Sequence, residues 1–169
     1  MPQPVLIVLA AVAVLMCKHA VADFYLQSAY QYLNKGSYGH PGGIEHSAIH
    51  VALTPLVYLV IAPASLLLAL IIAISEFLLH YHIDWLKEQV THRNGWTAKD
   101  RGFWYALGTD QLLHGLTYLV IVGVLIAYAM CCAVPSFRRQ SESSARSAKT
   151  KNWIPACAGM TPVVSADKP

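Results

Sequence analysis

Imidazoles and carboxylates recur at intervals of four along stretches of this chain that are otherwise apolar. His19, Asp23 and Gln27 follow one another at that spacing, as do His46 and His50, then Glu76, His80 and Asp84, then Asp110 and His114. Lys87 stands three residues after Asp84, and Gln111 adjoins Asp110. Side chains four apart share one face of a helix, so each stretch presents a single polar stripe. His19, His50, His80 and His114 with Asp23, Asp84 and Asp110 make a mixed nitrogen and oxygen donor set. Such a set suits Zn²⁺, Mn²⁺ or iron better than copper(I) or Mg²⁺. A divalent ion carrying a coordinated water is both a Lewis acid and a source of hydroxide. On this reading His19, Asp23, His50, His80, Asp110 and His114 are metal ligands, and Glu76 and Asp84 are the catalytic carboxylates. Gln27, His46, Lys87 and Gln111 complete the pocket.

The elements that must position these residues follow from composition. Of 169 residues, 56% are apolar and 12% charged, against about 45–50% and about 25% in an ordinary soluble domain. Charge is also unevenly spread. Residues 1–134 hold 6 Lys/Arg and 7 Asp/Glu, a net of −1, whereas residues 135–169 hold 6 and 2, a net of +4. The basic excess therefore belongs to a tail, which argues against a nucleic-acid-binding domain and against any nucleic-acid partner. Cys17, Cys131, Cys132 and Cys157 include no C-x-x-C pair, which argues against a disulfide scaffold or a zinc knuckle. An integral membrane domain followed by a tail fits best.

Four helices are expected. The first spans about 5–33. Ala20-Val21-Ala22 looks like a signal-peptidase site, but no basic residue precedes the apolar run, so a retained helix is expected. Residues 34–43, with four glycines and a proline, read as a loop. The 36 residues from Ile44 to Leu79 are nearly all apolar. As one helix they would measure about 54 Å, against a hydrocarbon core of about 30 Å. They must fold back near Pro63, giving helices at 44–61, kinked at Pro55, and at 64–91. A second polar loop, 92–101, leads to a helix at 103–133 that ends before Pro135. Residues 135–169, rich in Ser, Arg and Lys over 136–151, read as a disordered tail.

In an antiparallel arrangement both polar loops lie on one side, and every stripe lies toward that side. Tyr30, Tyr32, Tyr38, Trp85, Trp96, Trp104 and Tyr105 flank the loops as an interfacial aromatic belt would. Ionisable groups within a membrane cost about 2.5–3.5 kcal/mol each at its centre. Their gathering in one leaflet therefore predicts a one-sided polar pocket within an all-α, polytopic four-helix membrane bundle. His82, two positions from both His80 and Asp84, faces away. Lys87 is expected to pair with Asp84 or to reach the interface, and Lys35 to be a solvated loop lysine.

The motifs H-x-x-x-D-F-x-x-Q (19–27), E-x-x-x-H-x-H-I-D-W-x-K (76–87) and D-Q-x-x-H (110–114), with Lys35 and His46/His50, resemble an uncharacterised family of small multi-pass membrane proteins of bacteria and phages. The resemblance covers roughly residues 5–130 and implies an integral protein of the inner (plasma) membrane, with no established activity. A weaker likeness to membrane-bound metal-dependent hydrolases points to a hydrolytic site acting on a lipid or other amphiphile at the interface. The alternative is a non-enzymatic membrane protein whose polar cluster serves helix packing or binds a lipid or small molecule. A path through the membrane is disfavoured, because the half of the bundle away from the loops has almost no polar lining. Membrane lipids, and a second copy in a homodimer, are the expected partners.

Overall fold

The computed structural model describes residues 3–151, with side chains as far as residue 131. Every regular element among them is helical: α1 (Gln3–Val21), α2 (Ala29–Asn34), α3 (Pro41–Leu53), α4 (Leu66–Arg93) and α5 (Arg101–Lys151). The chain divides into two units, Met1–Met130 and Cys131–Pro169, and apart from the end of α5 all that follows concerns the first. Three stretches, Gln3–Leu26, Leu66–Arg93 and Arg101–Cys131, are long and apolar enough to cross a membrane.

The expected helix at 5–33 is broken. After α1 the chain makes a π-helical turn, Ala22–Leu26, and Gln27 is extended. Ser28 then starts α2 with a capping box: its hydroxyl accepts from the Gln31 N–H, and the Gln31 side chain accepts from the Ser28 N–H. That reciprocal pair satisfies two free backbone donors, so it favours a new helix start where an apolar pattern alone suggests continuity.

The expected helix at 44–61 is also divided. It begins earlier, at Pro41, whose missing N–H costs nothing in a first turn, and His40 caps it by accepting from the Gly42 N–H at 3.1 Å. Gly42 and Gly43 belong to this first turn, not to a loop, and neighbouring chain approaches both closely. A Cβ on Gly42 would lie 3.1 Å from both Asn34 Cβ and the Tyr30 carbonyl oxygen; one on Gly43 would lie 3.2 Å from the Tyr81 ring. At the other end Pro55 has no N–H to offer Val51. The Thr54 N–H takes the Val51 carbonyl instead, and the chain tightens into a 3₁₀ helix, Thr54–Leu59. The kink expected at Pro55 is thus a change of helix type.

Beyond the turn at Pro63, Ser65 is extended and caps α4 through the Leu68 N–H, so this helix covers 66–93 in place of 64–91. In the 94–100 loop, Asp100 Oδ2 accepts from the Thr97 N–H at 2.8 Å and its hydroxyl at 2.9 Å. Those bonds hold the exposed Asp100 carboxyl below its usual pKa. Their support is present above the ordinary carboxylate range and lost as pH falls. The last helix departs most from expectation: α5 covers Arg101–Lys151, so 135–151 extend a helix where a tail was expected. The remainder of the expected tail, 152–169, lies outside the described residues.

Inside and outside are inverted relative to a protein folded in water. Leu6, Ile74 and Val120 are 49%, 60% and 65% exposed, whereas among the described residues sixteen polar or charged side chains are buried against twelve apolar ones. The interior has two layers. Ala11, Leu15, Val57, Ile61, Leu68, Ile72, Tyr118 and Leu125 belong to one apolar cluster. The same faces then turn polar: Leu15 gives way to His19, Val57 to Thr54 and His50, Ile72 to Glu76 and His80, and Tyr118 to His114 and Asp110.

The crowding at Gly42 is testable. Gly42→Ala should destabilise the fold by about 1–3 kcal/mol through overpacking against backbone. Gly123→Ala, whose Cβ would meet nothing within 4 Å, should be neutral or stabilise α5 by about 0.5–1 kcal/mol. Thermal unfolding of the two variants in the same detergent compares them directly.

Candidate metal centre

Each element delivers its stripe to one place. The π-helical turn sets Asp23 beside its own helix, with Asp23 Oδ2 3.2 Å from His19 Nε2, and opposite α3, with Asp23 Oδ1 3.0 Å from His50 Nε2 and 3.4 Å from His46 Nε2. Such turns, which widen one turn of a helix, recur at functional sites. From α4, Asp84 Oδ2 stands 3.2 Å from His46 Nε2, while Oδ1 stands 3.4 Å from His114 Nε2 on α5. Asp110 Oδ1 is 3.5 Å from the same His114 nitrogen.

His80 lies in the middle. Its ring centroid is 3.7 Å from that of His50, 4.2 Å from His114, 5.2 Å from His46 and 5.7 Å from His19. It is only 2% exposed, and neither of its ring nitrogens has a hydrogen-bond partner; His50 Nδ1 and Asp110 Oδ1 are buried and unpartnered as well. A buried polar atom left unpaired costs about 1–3 kcal/mol, and these four, with Asp84 Oδ2 3.7 Å from His80 Nε2, form a donor set that a ligand could use. Three groups have ligand atoms that all lie within 4.8 Å of one another: Asp23/His46/His50/His80, His19/His80/His114, and Asp84/Asp110/His114.

Around these groups stand the amides and a phenol. Gln27 Nε2 is 3.3 Å from both ring nitrogens of His46. Gln111 Nε2 donates to Asp23 Oδ2 at 3.1 Å and Asp110 Oδ2 at 3.2 Å, and its Oε1 is 3.2 Å from His19 Nε2. The Tyr118 hydroxyl lies 2.9 Å from His19 Nδ1. Partners of this kind fix imidazole orientation in metal sites.

The structure therefore gathers His19, Asp23, His50, His80, Asp110 and His114, and with them Asp84, Gln27, His46 and Gln111. His46, expected only as pocket lining, stands among the potential ligands, since on α3 it shares a face with His50. Glu76 and Lys87 fall elsewhere. Glu76 is buried against Lys18 and the Thr54 hydroxyl, in the layer between the apolar cluster and the imidazoles. Lys87 does not pair with Asp84: it is buried, donates to Glu88 Oε1 at 2.7 Å and lies over the Phe103 ring. His82 is exposed and faces away as expected, near Tyr38.

Two lysines were not anticipated. Lys35 is 8% exposed and donates to Asp84 Oδ2 at 3.2 Å. Burial pulls its pKa down, but the carboxylates of Asp84, Asp23 and Asp110 outweigh that and hold it above the usual lysine value. Its loop position concealed this, because the close packing of Gly43 on Lys35 is what carries it inward. Lys18 is 3% exposed and bonds the His50 carbonyl at 2.9 Å as well as Glu76. Here a signal existed: two opposite charges in apolar runs have few partners other than each other.

Comparison with known proteins adds one finding. The family described as Protein of unknown function (DUF3307) matches residues 11–142. The chain belongs to this family. No curated protein and no solved structure matches the chain. The DUF3307 match takes in every residue of the cluster.

The Lys18–Glu76 pair sets a stability test independent of any ligand. Lys18→Met strands a buried carboxylate and should cost about 3–5 kcal/mol, whereas adding Glu76→Leu should recover most of that loss. Thermal unfolding of the single and double variants reads the difference.

Proposed function

We propose that this DUF3307 protein is a multi-pass protein of the inner (plasma) membrane that binds a divalent metal, zinc, manganese or iron, in its His/Asp cluster. The site acts hydrolytically on an amphiphile near the interface. The observation that carries this reading is His80, a buried imidazole with two free nitrogens, surrounded by four other imidazoles and three carboxylates. Four-helix and related bundles build metal centres from inward histidines and carboxylates in this way. Bound there, the ion would polarise a carbonyl or phosphoryl oxygen and supply hydroxide at neutral pH.

The route to the cluster supports an amphiphilic substrate. A cavity of about 260 Å³ between α4 and α5, lined by Ile83, Leu86, Tyr105 and Leu113, reaches Asp110 and Lys87. A second of about 440 Å³ shares Ile83 and Leu113 and continues along the same two helices to Glu76. An acyl chain fits this apolar lining, and its polar end would arrive beside Asp110.

The dense pairing of Gln27, Gln111 and Tyr118 with the histidines favours the second reading, a cluster that serves helix packing. Elemental analysis of protein purified in detergent without chelator separates the two. The metal reading expects at least one equivalent of Zn, Mn or Fe per chain, whereas sub-stoichiometric values for all three would rule it out. The packing reading expects Asp23→Asn to lower thermal stability in proportion to any loss of function in the cell.

A further inference from the structure

The cluster holds more donors than one ion uses. Five imidazoles and three carboxylates converge, whereas zinc in protein sites takes about four ligands. One ion bound by Asp23, His46, His50 and His80 would leave the Asp84/Asp110/His114 group buried and unfilled. The two groups share no residue, and the third, His19/His80/His114, links them.

Two distances in each group match the edges of a coordination shell, and the remaining donors lie within 4.8 Å of one another. Bonds of about 2.0–2.1 Å to nitrogen or oxygen in tetrahedral geometry set neighbouring donors roughly 3.3–3.4 Å apart. In the first group His50 Nε2 and Asp23 Oδ1 are 3.0 Å apart, and His46 Nε2 and Asp23 Oδ1 are 3.4 Å apart. In the second, His114 Nε2 is 3.4 Å from Asp84 Oδ1 and 3.5 Å from Asp110 Oδ1. Asp84 joins them: its Oδ2 stands 3.2 Å from His46 Nε2 in the first group, and its Oδ1 faces His114 in the second. The Lys35 ammonium, 3.2 Å from Oδ2, takes a further lone pair of that oxygen and offsets part of the carboxylate charge.

We propose that the cluster is a dinuclear centre, one ion held by Asp23, His46, His50 and His80 and the other by Asp110 and His114, with Asp84 bridging the two. This rests on the metal reading above and deepens it. Asp84 then acts as a bridging ligand in place of the catalytic carboxylate expected from the sequence. In this assignment His19, held by Tyr118 and Gln111, stands outside the two shells and orients them. Paired ions about 3.5–4 Å apart stabilise both the attacking and the leaving oxygen of a displacement, so the substrate class is an ester with an oxygen leaving group, a phosphoester foremost.

The test is Mn²⁺ loading of the full chain in detergent, followed by removal of free metal. Two equivalents per chain and an electron paramagnetic resonance spectrum of an exchange-coupled pair are expected. Asp110→Asn should retain one equivalent and show only the isolated-ion spectrum. One equivalent in the wild type, with an isolated-ion spectrum at saturation, would overturn the dinuclear assignment and leave a single-metal centre intact. Absence of bound metal would defeat both. Because the coupling is read on the wild-type protein, the test stands even if the variant fails to fold.

Discussion

Burial of polar side chains inside an apolar exterior is the constraint on which this structure depends. The outer faces of α1, α4 and α5 are rich in leucine, isoleucine and valine, while His19, His80, His114, Glu76, Asp84, Asp110 and Lys18 are buried. With so few apolar residues inside, the polar ones must satisfy one another, because an unpaired buried charge costs far more than a lost contact. Each helix carries part of the solution and none carries all of it. The arrangement of the elements is consequently tied to the pairing of Asp23 with α3, Asp84 with α3 and α5, and Lys18 with Glu76.

Satisfaction is graded along the molecule. Lys18, Glu76 and Thr54 form a closed layer, in which a cation, an anion and a hydroxyl meet one another's needs against the apolar cluster. Beyond it, toward α2 and the 94–100 loop, pairing is incomplete: His80 has two free nitrogens, and His50 and Asp110 each have one free atom. Structure explains the closed layer fully and the open one only in part. The excess of donors in the open layer is what a ligand would take up, and the apolar groove between α4 and α5 ends beside it.

The fourfold spacing of His19, Asp23, His50, His80, Asp110 and His114 was enough to anticipate their convergence, because helical periodicity in an apolar background leaves few other places for a polar face. The positions of breaks were harder to read. Ser28 and Gln31 form a capping box inside an apolar pattern, and Pro55 changes the type of helix without ending the segment. Both depend on one or two local hydrogen bonds to the backbone, which periodicity does not register. Lys35 and Lys87 were misplaced for a related reason. A lysine stem reaches far enough that its partner is chosen by packing: the tight approach at Gly43 turns Lys35 toward Asp84, and the nearer Glu88 captures Lys87.

X-ray absorption at the edge of the metal proposed for the cluster examines it most directly. The account predicts a nitrogen and oxygen shell at about 2.0–2.2 Å, with the outer-shell scattering of several imidazole rings. A shell containing sulfur, or one of oxygen alone without imidazole scattering, would contradict it, because the ion would then lie away from His46, His50, His80 and His114.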